Sequence, residues 1–133
     1  MKNKAVEYYK NGLSCSESII KAAIDEGLCD KSFLPASTAF SAGMSSGCLC
    51  GAIAASQMVL GYNFGRENTK GEEVTARAKA KEFIAEFLKS HKATCCRVLS
   101  AGLEGSERKE NCTKLVADCA EILDAVLGVK TQV

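Results

Sequence analysis

From Ser32 to Gly65 the chain carries no charged residue, and this stretch limits the folds open to it. An uncharged run of that length has to be buried, in protein or in lipid. It is interrupted by Pro35, Gly43, Gly47, Gly51 and Gly61. Its longest strongly apolar part, Leu49 to Leu60, falls well short of the roughly 20 residues that a membrane helix needs. The expectation is a buried core helix in a protein that is not integral to a membrane. At 133 residues the chain is long enough for one domain to bury about two-thirds of the surface its unfolded form exposes. Residues 1–133 therefore read as a single domain that folds without the help of disulfides or metal.

Elsewhere the apolar residues recur with a helical period, and no alternating strand pattern is present. The spacing predicts an all-α, single-domain helical bundle of about six helices with no significant β-sheet. A first helix is expected over Lys4 to Lys10. A second follows Ser14, with Glu17 completing a capping box, and stops at Gly27. A short helix is expected after Pro35 and another from about Cys50 to Leu60, where Gly51 and Ala55 allow close helix approach. A polar loop to Gly71 should precede a long amphipathic helix from Glu72 to His91, with Val74, Phe83, Ile84, Phe87 and Leu88 on its apolar side. A short helix entered at Thr94, an exposed loop over "EGSERKE" and a final helix capped by Asn111 and closed by Gly128 complete the reading.

The net charge is +1, acids and bases are interspersed, and aromatic residues make up 6% of the chain. There is neither a basic stripe nor a stacking platform, which argues against nucleic acid as a partner. The opening "MKNKAVEYYKNG" has no apolar run behind its lysines, so no secretory signal is expected and a cytoplasmic location follows.

The chain nonetheless has eight cysteines. In a reducing compartment these do not read as a disulfide framework, and eight exceed what packing ordinarily asks of a small hydrophobe. Their placement is informative. Cys15 directly follows Ser14, Cys112 follows Asn111, Cys50 opens the alanine-rich helix, and Cys95 and Cys96 follow Thr94. Four expected helices thus carry cysteine in the first turn, where unpaired N–H groups and the helix dipole favour an anion and lower a thiol pKa. Cys15, Cys50, Cys96 and Cys112, if gathered, match the ligand set of an iron–sulfur cluster or a structural zinc. The chain has no CxxC pair, so only the tertiary fold can bring them together.

The remaining candidates are weaker. Cys48 stands two residues before Cys50 and Cys95 next to Cys96, which makes both secondary ligand candidates. Two adjacent cysteines can also form a strained, readily reduced disulfide. Cys119, two turns beyond Cys112 among apolar neighbours, reads as core, and Cys29 as an incidental or semi-exposed thiol in a turn. His91 sits at a helix end that favours a cation. Arg97, beside Cys96, is positioned either to offset cluster charge or to sit on the surface.

Four segments carry a family resemblance. "GLSCSESI" at Cys15, "CGAIAAS" at Cys50 behind the glycine-rich "SAGMSSG", "TCCRVLS" at Cys96 and "NCTKLVADCAEIL" at Cys112 resemble, in order and approximate spacing, the C_GCAxxG_C_C family of redox-active proteins. One departure is that Ala55 or Ser56 stands where the family motif has its last glycine. The resemblance implies a small helical redox protein that uses those four cysteines. A similar domain stands at the C-terminal end of split-Soret cytochromes c, where it is associated with an iron–sulfur centre. This chain has no CxxCH for haem attachment.

Together these readings lead to an electron carrier or redox module in which Cys15, Cys50, Cys96 and Cys112 bind an iron–sulfur cluster, a [2Fe–2S] centre being the leading candidate. The alternatives are a metal-free thiol–disulfide protein cycling the same cysteines and a zinc-stabilised interaction module. The expected partner is another redox protein, and a homodimer is left open.

Overall fold

The computed structural model describes residues 1–128. Among them are seven α-helices, and the only strand-like pairing is a single bridge between Leu49 and Cys95. The expected all-α class is what is found. Helix α1 spans Lys2–Lys10 and α2 spans Cys15–Asp25. Ser14 caps α2 through the capping box anticipated from its spacing: its hydroxyl accepts from the Glu17 amide, and the Glu17 carboxylate accepts from the Ser14 amide. Helix α3, Phe33–Ser37, runs on into a 3-10 turn over Thr38–Phe40. It begins before Pro35 rather than after it, because a proline in the first turn forfeits no intrahelical hydrogen bond.

Helix α4, Gly51–Phe64, is the centre of the molecule. It is apolar all round, with Ala52, Ile53, Ala55, Val59 and Leu60 buried, and it packs against α2, α5 (Val74–Ser90) and α7 (Gly105–Leu127). The buried Ser56 hydroxyl donates to the Ala52 carbonyl at 2.7 Å, so this polar side chain is satisfied within its own helix. Helix α1 lies across α2 and α7. No helix among the described residues is long and apolar enough to cross a membrane.

Three further features differ from expectation. Helix α4 continues through Gly61 to Phe64, since packing of its earlier turns carries the glycine. On α5, Phe83 and Phe87 are fully buried, but Val74 is 70% and Leu88 46% exposed, so the apolar face is narrower than the sequence implies. The largest difference is α7. It starts at Gly105, not at Asn111, so the "EGSERKE" segment is mostly helix rather than loop. Asn111 is not a cap. Its amide nitrogen donates instead to the Leu99 carbonyl at 3.0 Å, tying α7 to the short helix α6, Cys96–Leu99.

Candidate functional site

Cys15, Cys50, Cys96 and Cys112 all line one cavity of about 350 Å³. Each comes from a different helix: Cys15 is the first residue of α2, Cys50 the N-cap of α4, Cys96 the first residue of α6, and Cys112 lies two turns inside α7. Three of the four therefore stand at helix starts as anticipated. Cys112 does not, and no helix dipole acts on it as a terminus would. Among the described residues, no three histidine, cysteine or acidic side chains are grouped closely enough to hold a single metal ion. The four thiols share a cavity wall without converging on one point.

A run of left-handed backbone holds the wall together. Ala42, Gly43, Met44 and Ser45 have φ of 52°, 60°, 62° and 55°, so in this run of four the three residues with side chains occupy a conformation that ordinarily costs about 1–2 kcal/mol each. This turn is pinned to α2 by hydroxyls. Ser41 Oγ lies 2.7 Å from Ser14 Oγ, and Ser16 Oγ donates to the Ser37 carbonyl at 2.7 Å. The Ala42 amide in this turn favours the ionised form of the Cys15 thiol.

Beyond the turn, Cys48 to Cys50 run antiparallel to Thr94 to Cys96. The Cys96 amide donates to the Cys48 carbonyl and the Cys50 amide to the Thr94 carbonyl at 2.8 Å. That two-bond ladder sets Cys48 opposite Cys96 and Cys50 opposite Thr94. Two glycines make the closeness possible. A Cβ on Gly51 would stand 2.5 Å from the Phe40 carbonyl oxygen and 2.7 Å from Cys15 Sγ. A Cβ on Gly43 would stand 2.7 Å from both the Cys96 Cβ and the Cys48 carbonyl oxygen. Gly51 thus serves the sulfur of Cys15 and the backbone of the 3-10 turn, not only the helix–helix approach foreseen from its spacing with Ala55.

The electrostatics reverse one expectation. Burial pushes the Cys15 thiol up, and the amides of Ala42 and Ser16 offset only part of that rise. The Cys50 thiol is pushed up to about 12, again by burial first, although the amides of Ile53 and Ala52 favour its ionised form. No capping hydrogen bond from the Cys50 side chain is formed. Desolvation outweighs the helix N-terminus at both positions, so these thiols are protonated at neutral pH. Tyr9 lines the same cavity, and its hydroxyl is pushed up by burial and by the neighbouring Cys112 thiol. Glu17, at the rim, is held below the usual carboxylate range by the Ser14 amide and the Thr38 hydroxyl.

The secondary candidates lie elsewhere. Cys48 and Cys95 are exposed and do not line the cavity. Cys119 is fully buried in the core, and burial drives its thiol well above the ordinary range. Cys29 is buried rather than semi-exposed, with its thiol pushed up to about 11. His91 stacks on Phe87 at 4.4 Å and pairs with Asp118 at 2.8 Å, away from the cavity lining. Arg97 donates to the Ser46 carbonyl at 2.9 Å.

Sequence reasoning missed Tyr9, Arg108 and Lys109, which complete the cavity wall. Lys109 reaches over the Tyr9 ring at 3.7 Å and donates to the Tyr9 carbonyl at 3.0 Å. No local pattern marks these residues, because they meet only when α1 packs on α7.

No curated protein and no solved structure matches the chain. The family model described as "Putative redox-active protein (C_GCAxxG_C_C)" matches residues 13–126.

Proposed function

The chain belongs to the C_GCAxxG_C_C family of redox-active proteins, and from that premise we propose that it is a one-electron carrier whose Cys15, Cys50, Cys96 and Cys112 hold one iron–sulfur cluster. The single observation behind the reading is that these four thiols, drawn from four helices, line one cavity. The donor set fits the group: four cysteine sulfurs are what a [2Fe–2S] or [4Fe–4S] centre requires, and about 350 Å³ of space lies between the walls. When bound, such a cluster takes up and returns single electrons.

The protein's own residues contribute in separable ways. The Ala42 and Ser16 amides favour negative charge at Cys15, and the Ala52 and Ile53 amides do so at Cys50. Hydrogen bonds of this kind to ligand sulfurs tune a cluster's potential. Leu13 and Leu115 give the cavity an apolar lining. Gly51 leaves the space in which the Cys15 sulfur sits, and Gly43 lets the Cys96 Cβ and the Cys48 backbone come close. The raised Cys15 and Cys50 thiols weigh against metal-free thiol exchange as the main activity, because exchange proceeds through the thiolate.

Anaerobic purification, with an absorption spectrum and iron, sulfide and zinc measured per chain, tests the reading. Broad bands between roughly 320 and 600 nm with matching iron and sulfide are expected. A colourless protein with zinc would replace it with the structural module. A colourless protein without metal would leave thiol–disulfide chemistry.

A further inference from the structure

Beside the thiol cavity lies a second, open groove of about 400 Å³, whose lining includes Ser45, Ser46, Gly47, Cys96, Arg97 and Arg108. Two cations face it and no acidic residue lines it. Among the described residues, neither Arg97 nor Arg108 forms an ion pair. Glu104 and Glu107 precede Arg108 on the chain without pairing with it. Two guanidinium groups left without carboxylates, on a protein whose net charge is only +1, form a local concentration of positive charge.

Arg97 is not a freely swinging surface side chain. Its Nη2 is anchored to the Ser46 carbonyl at 2.9 Å, and its stem lies so close over Gly47 that a Cβ there would stand 3.2 Å from the Arg97 Cβ and 3.3 Å from its Nε. One of its five N–H groups is used in the anchor, and the planar fork keeps the others fixed in direction. Fixing a guanidinium before a ligand arrives reduces the ordering that binding must otherwise impose. Ser46, exposed, brings a hydroxyl donor from the same turn, while the Ser45 hydroxyl donates to the Ser41 carbonyl at 3.4 Å. No aromatic side chain lines the groove, so nothing there would stack a base or ring.

We propose that this groove binds a small tetrahedral oxyanion, of the sulfate or phosphate class, between Arg97 and Arg108 at the edge of the thiol site. The anion would be either a free ion or the terminal oxyanion group of a larger molecule. Both present the same geometry to the two forks. Arg108 and Cys96 line the groove and the thiol cavity alike, so the bound anion would neighbour the Cys96 sulfur. This inference does not rest on the iron–sulfur reading, and it is tested on the full chain, reduced and without added metal.

Titration calorimetry with inorganic phosphate, with sulfate and with glycerol phosphate, at ionic strength held constant with chloride, measures the binding directly. Saturable binding is expected, weakened about tenfold or more in Arg97→Gln and in Arg108→Gln. It should be unchanged in Arg77→Gln, whose guanidinium is already paired with Glu73 at 3.2 Å on α5. Amide shifts at Ser45, Ser46 and Gly47 in ¹⁵N-labelled protein should follow the same titration, and the unligated spectrum of each variant verifies its fold. Tighter binding of the inorganic ions assigns a free ion, and tighter binding of the ester assigns the terminal group of a larger ligand. No saturable binding above chloride, or equal losses in all three variants, would overturn the proposal.

Discussion

At Gly51 the site depends on a missing methyl group. A Cβ there would press on Cys15 Sγ and on the Phe40 carbonyl oxygen, and the latter, being backbone, cannot turn aside. Gly51→Ala is expected to destabilise the protein by about 1–3 kcal/mol, the usual range for overpacking, as read by urea unfolding. Gly61→Ala, on the same helix with nothing within reach of its added Cβ, should be neutral or slightly stabilising. Thiol reactivity is also set residue by residue. With the Cys50 thiol pushed up to about 12, its thiolate fraction at pH 8 is on the order of one in ten thousand. Iodoacetamide mapping by mass spectrometry should label exposed Cys48 and Cys95 well before Cys50, with Cys50 labelling rising about tenfold per pH unit. The four principal cysteines were legible in the sequence as residues. The raised thiols of Cys15 and Cys50 were not, because burial is a property of the tertiary fold and at these two positions outweighs the helix-end effect that local sequence reveals.

The elements divide according to how local their causes are. Helix α2 was readable because its capping box is encoded within four residues, and Ser14→Ala should cost about 1 kcal/mol in thermal or urea unfolding. The start of α7 was misread because residues 105–110 carry no apolar stripe, and polar helical turns look like loop. Their support is partly remote: Lys109 binds the Tyr9 ring and carbonyl of α1. The left-handed turn likewise left only a trace, a cluster of glycines and serines. Since Ser45 is exposed at φ 55°, Ser45→Gly should stabilise the reduced protein by about 0.5–1 kcal/mol, the relief of left-handed strain less the entropy glycine adds to the unfolded chain. Loss of stability would show that the turn is held for another reason.

On the scale of the whole molecule, the uncharged stretch and the helical period made the fold class and the central position of α4 legible, since both follow from which residues must leave water. The shared cavity was not legible, because residues 15, 50, 96 and 112 meet through contacts of α2, α4, α6 and α7 that no spacing records. Stability as a whole should fall at alkaline pH in the reduced, metal-free protein. Cys15, Cys29, Cys50 and Cys119 all have folded thiol pKa values raised by burial. The unfolded chain therefore releases these protons first, near pH 8.5, and the folded state binds more protons above that point. Each fully buried thiol then contributes stability that is present below pH 8.5 and is lost at about 1.4 kcal/mol per pH unit until its folded value is passed. Urea unfolding at pH 8 and pH 10 measures the fall, and equal stability at both would refute the buried-thiol picture. The central claim, that one cavity gathers four working cysteines, is tested most directly by iron and sulfide bound per chain in six single Cys→Ser variants prepared anaerobically. Cys15→Ser, Cys50→Ser, Cys96→Ser and Cys112→Ser should each lose most of the bound iron and its visible absorption, while Cys48→Ser and Cys95→Ser retain them. Full retention in any of the first four, or loss confined to Cys48→Ser and Cys95→Ser, would contradict it.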